Sequence, residues 1–67
     1  MDIKTIARNI RKYRVEKGYT QKELAEKIGR ANITVRRYEI GSVKPSSYTL
    51  VVIAKVLGIG MSDILRD

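Results

Sequence analysis

The apolar residues of this chain recur at helical rather than strand spacing, and glycines at positions 18, 29, 41, 58 and 60 divide it into about five segments. Strand-like alternation is absent, and the short Val51-Val52-Ile53 run falls inside a helical pattern. In the first segment, about 3 to 17, Ile3, Ile6, Ala7, Ile10 and Tyr13 share one face. Arg14 falls near the middle of that same face, where a charge needs a partner. A second helix opens with Thr20 and Glu23, the S/T-x-x-E capping box, and packs with Leu24, Ala25 and Ile28 before Gly29 ends it. A third runs roughly 32 to 40, with Val35 and Tyr38 inward and Ile33, Arg36, Arg37 and Ile40 opposite. Pro45-Ser46 introduces a fourth, about 47 to 57, with Ser46 as its cap and Leu50, Ile53, Ala54 and Leu57 inward. A short fifth, about 61 to 66, contributes Met61, Ile64 and Leu65.

Residues 20 to 41 hold most of the information. They spell two short amphipathic helices meeting at Gly29, the second offering a face rich in arginine and amide. That is the layout of a helix-turn-helix, in which one helix braces and the next enters the major groove of DNA.

Composition narrows the partners. Sixty-seven residues allow one domain with a small core, read as a single unit over 1–67. With no cysteine and no histidine, neither a disulfide nor a zinc site can staple it, so capped helices with Leu, Ile and Val inside must suffice. No metal, cofactor or catalytic site is expected: the few carboxylates fall mostly on exposed helix faces. Fourteen Lys and Arg against seven Asp and Glu leave a formal charge of +7, which raises the local concentration of polyanions. Nucleic acid fits better than a membrane surface, because the apolar residues form several short faces that cover one another. No apolar run approaches the ~20 residues of a membrane span, and the first residues lack the apolar stretch of a signal peptide.

Several short motifs carry a family resemblance: Lys17-Gly-Tyr-Thr-Gln-Lys-Glu-Leu-Ala, Ile28-Gly29, Tyr38-Glu39, Lys44-Pro-Ser and Ile53-Ala-Lys-Val-Leu-Gly-Ile. Taken in order, from Ile10 to Leu65, they resemble the lambda-repressor and Cro-like, Xre-type helix-turn-helix family. The resemblance implies an all-α, five-helix bundle that binds double-stranded DNA, usually as a homodimer. It implies a regulator that represses or activates transcription at palindromic operators, and a cytoplasmic repressor, prokaryotic or phage-encoded, is the expectation. The rival reading is an antitoxin-like or bridging module that uses the same fold to hold a protein partner.

Carried over by position, the resemblance implies that Asn32, Ile33 and Arg37 read bases. Gln21, Thr34 and Lys44 stand where the backbone is touched, and Gln21 often steadies a base-reading side chain as well. From the residues themselves, Thr20 at the start of the second helix and Arg36 on the basic face of the third are further expected backbone contacts. The resemblance also implies an ion pair between Arg14 and Glu39. The chemistry agrees: an amide can pair N6 and N7 of adenine, Arg can fork onto O6 and N7 of guanine, and Ile33 suits a thymine methyl. The chain departs from the pattern at Ala31, a poor cap, and at the apolar Ile33 and Ile40. Other readings stay open beside these. Asn32 can cap the third helix instead, Ile33 can cover a neighbouring side chain, and Arg36 can be solvated. Arg8, Arg11 and Lys12 meet either phosphates or solvent. Tyr48, Val52 and Val56 recur at every fourth residue of the fourth helix, away from its inner face. That row contacts the chain's own termini or serves a dimer or partner surface, and the fifth helix or the tail can cover Val56.

Overall fold

The computed structural model describes residues 2–67, and those residues form five helices and no strand. These are α1 (Ile3–Lys17), α2 (Gln21–Ile28), α3 (Asn32–Ile40), α4 (Ser47–Leu57) and α5 (Met61–Leu65). The expected bounds hold to within a residue. The fifth helix stops at Leu65 because Arg66 turns to extended backbone.

Most helices are opened by a side chain. Asp2 accepts the N–H of Lys4 at the start of α1, and Ser46 accepts that of Thr49 at the start of α4. At α2 the capping box closes in both directions: Glu23 N–H donates to Thr20 Oγ1 at 3.0 Å, and Thr20 N–H donates to Glu23 Oε1 at 2.8 Å. Each such cap contributes about 1 kcal/mol. The cap position of α3 is Ala31, with no side-chain bond, so Asn32 begins the helix rather than capping it.

Two glycines set the path around α3. Gly29 ends α2 at φ +71°, a left-handed turn that other residues adopt only with strain. Gly41 ends α3 at φ +78° and lies against α1, where a Cβ would stand 3.7 Å from that of Ala7.

The core draws on all five helices: Ile6 and Ile10 from α1, Leu24 from α2, Val35 from α3, Ile53 from α4 and Ile64 from α5 are fully buried. Each contributes roughly 1.5–3 kcal/mol by leaving water. Helix α3 packs against both α1 and α2. Val35 and Tyr38 face inward as their spacing requires, and Ile53 of the Val-Val-Ile run is buried in a helix.

The C-terminal segment is fastened by a residue that no local pattern singles out. The amide of Asn9, buried on α1, donates to the carbonyls of Ile64 at 2.7 Å and Arg66 at 2.6 Å. Thr5 Oγ1 donates to Asp67 beside it, at 3.3 Å. Carbonyls left open at the end of α5 thereby gain a partner.

Candidate nucleic-acid interface

Burial of Val35, Tyr38 and Glu39 leaves the rest of α3 outward. Asn32, Ile33, Arg36, Arg37 and Ile40 are all exposed, and at about 100° per residue they fill one arc of about 140°. Thr34 lies at its margin, half-buried. The two isoleucines are 49% and 63% exposed, so neither is spent on covering the core. An amide, two guanidiniums and two branched apolar groups thus share one uncovered strip of a helix slim enough for the major groove.

The stretch of chain that carries this strip is cationic. Between Lys27 and Ser62 the only carboxylate is Glu39. It is buried and held by Arg14, with Nε to Oε2 at 2.6 Å and Nη2 to Oε1 at 3.0 Å. The charges of Arg30, Arg36, Arg37, Lys44 and Lys55 therefore face no acidic side chain from that stretch.

Arg14 has a further bond, from Nη1 to the Tyr19 carbonyl at 2.6 Å, which fixes the loop leading into α2. Gln21 joins the same cluster: its amide nitrogen donates to Glu39 Oε1 at 3.1 Å. The structure thus brings Arg14, Glu39 and Gln21 together and directs the Gln21 amide to Glu39, not to Asn32. One amide proton of Gln21 is used in this way, and the second is left for another acceptor.

At the start of α2, the N–H groups of Gln21 and Lys22 have no intrahelical acceptor, as in any first turn. Thr20 is exposed, and its hydroxyl can still donate while it accepts from Glu23. The Thr20 N–H, and then its hydroxyl, hold the Glu23 carboxyl below its ordinary value. Lys44 is exposed on the loop after α3. That loop is tied back by the N–H groups of Ser42 and Val43, both of which donate to the Arg37 carbonyl.

Sequence reasoning passed over Arg30 in the turn between α2 and α3. Its guanidinium reaches Thr49 Oγ1 at 3.5 Å, and Ser46 Oγ donates to the same oxygen at 3.0 Å. The turn is thereby tied to the start of α4. A third arginine close before Arg36 and Arg37 was the available signal.

The row on α4 is divided. Tyr48 is 75% exposed and Val52 half-buried, but Val56 packs on the core. Val51 is exposed and joins Tyr48 and Val52 on the outer face in its place.

Residues 10–64 match the family model HTH_3, described as helix-turn-helix. YqaE, an HTH-type transcriptional regulator of Bacillus subtilis (strain 168), is 33% identical over 58 residues, covering 87% of this chain and 50% of its own length. A Yarrowia lipolytica (strain CLIB 122 / E 150) protein, provisionally named multi-protein-binding factor 1, is 44% identical over 55 residues, covering 82% of this chain and 36% of its own. The chain thus spans half or less of the length of either relative. Among solved structures, the clp gene regulator ClgR of Corynebacterium glutamicum superposes with a TM-score of 0.90 at 28% identity, over 94% of this chain and 67% of that one. With its match over residues 10–64 and its five helices in the expected order, the chain belongs to the Xre-type, lambda-repressor-like helix-turn-helix family of DNA-binding transcriptional regulators.

Proposed function

We propose that this chain is a sequence-specific regulator that represses transcription from a palindromic operator in double-stranded DNA. The observation that carries this reading is the uncovered arc of α3 beside a stretch whose one carboxylate is buried. In the proposed complex Asn32, Ile33 and Arg37 read base edges in the major groove. Thr20, Gln21, Thr34, Arg36 and Lys44 hold the sugar-phosphate backbone and set the register. A homodimer, at least on DNA, presents two copies of α3 about one helical turn apart.

The test is selection of bound duplexes from a random pool, followed by competition. A specific regulator enriches a two-fold related motif and keeps it against excess random DNA. A reporter whose promoter overlaps that motif should fall on expression of the protein, and a rise would make it an activator. Binding that random DNA removes completely would sink the reading.

A second reading has a specific support. The Yarrowia relative is named for binding several proteins, and Tyr48 and Val51 offer an exposed apolar face on α4. A protein-interaction module of this kind predicts weak, salt-labile DNA binding without an enriched motif.

A further inference from the structure

The cations of α1 are not scattered evenly around it. Lys4, Arg8 and Arg11 are all exposed, and their spacing of four and then three residues puts them on one ridge. None of the three takes part in an ion pair: among the described residues the pairs are Arg14 with Glu39 and Arg66 with Asp63. Glu16 falls on another side of the helix. Lys12 is engaged differently, with its ammonium 5.0 Å from the centre of the Tyr13 ring.

The position of the ridge is fixed against α3. At its start, a Cβ on Gly41 would stand 3.8 Å from Lys4 Cγ, so Lys4 adjoins the end of the exposed arc. At the other end, Arg11 lies one turn before Arg14, whose guanidinium reaches Glu39 of α3. The ridge therefore flanks the groove-facing helix without being part of it. From Lys4 to Arg11 is about 10 Å along α1. One strand of a duplex advances only ~3.4 Å along its axis per phosphate, so a ridge of this length can meet more than one phosphate.

We infer that Lys4, Arg8 and Arg11 form a second anion-binding surface, which takes the phosphates of duplex DNA flanking the site that α3 contacts. The inference rests on the reading of α3 as the groove helix. Like charges at this spacing repel one another mildly, a repulsion that bound phosphates relieve, and each neutralised phosphate releases counterions. The ridge would thereby add affinity without sequence preference and lengthen the footprint of each subunit.

The experiment uses two duplexes carrying the site selected from a random pool, one trimmed to the site and one with a further turn of arbitrary sequence on each side. The variant Lys4→Gln/Arg8→Gln/Arg11→Gln should lower the slope of log K against log salt by about two to three on the long duplex. On the trimmed duplex it should bind as the parent does. Exchange of each cation for the other kind (Lys4→Arg/Arg8→Lys/Arg11→Lys) should keep the parent slope on both. An unchanged slope on the long duplex overturns the proposal, and is the result expected if the ridge serves an acidic protein surface. Equal loss on both duplexes overturns it too. Arg37→Ala, run in parallel, reports on α3 separately through base preference, which the ridge variant leaves intact.

Discussion

Arg14 of α1 and Glu39 of α3 meet in a two-point ion pair, at 2.6 and 3.0 Å, with side chains only 10% and 1% exposed. The pair joins the first helix to the inner edge of the helix proposed to enter the groove. Removing one partner strands the other charge in the interior. Arg14→Ala or Glu39→Ala should each cost about 3–5 kcal/mol in urea unfolding, whereas Arg14→Met with Glu39→Leu should cost much less. A double-mutant cycle with coupling near zero would show that the contact carries no energy.

Asn9 supports a second long-range link. Asn9→Ala leaves the Ile64 and Arg66 carbonyls without their donor and should cost about 1–3 kcal/mol. Asn9→Asp should cost more, because it sets a carboxylate against two carbonyl oxygens. Hydrogen exchange should speed up first in α5. If the melting of Asn9→Ala matches the parent, the bonds to the tail are not stabilising.

These two links mark the border of what the sequence reveals. Helix positions were legible because apolar spacing, Thr20, Ser46 and the glycines act within a few residues of the chain. The need for a partner at Arg14 was legible in the same way, since a charge on an apolar stripe is a local anomaly. Asn9 gave no such signal, for its acceptors lie 55 and 57 residues away. The bond from Gln21 to Glu39 likewise depends on how α2 and α3 are folded together, not on either helix alone. The exposed arc of α3 was readable from its period, and the exposure of Asn32 followed only when Ala31 proved to be the cap position. On α4 the four-residue spacing named Val56 and missed Val51, because burial by neighbouring helices is not written in one helix's own period.

For DNA the two kinds of contact should separate in one assay. Arg37→Ala is expected to cost about 1–3 kcal/mol on the selected site and to relax preference at one base pair. Lys44→Ala should weaken all sequences alike and lower the salt slope by about one. Equal loss on specific and random DNA for Arg37→Ala would remove it from the base-reading set.

The outer face of α4 poses the question of assembly. Among the described residues Tyr48 is the most exposed of the large hydrophobic ones, and Val51 and Val52 lie on the same side of the helix. Lys55, also exposed, shares that side and places a charge within the apolar face. A two-fold contact there would bury the valines while each Lys55 kept its ammonium at the rim, as long cationic side chains can. The dimer so formed would hold two α3 helices about 34 Å apart and make a palindromic site the tightest ligand. Val52→Glu places like charges across the axis and should shift sedimentation at tens of micromolar toward the monomer. It should also reduce cooperativity on a two-half-site duplex while leaving a single half-site unaffected. If the parent and Val52→Glu both sediment as monomers and bind the palindrome with the same cooperativity, this face is not the dimer contact.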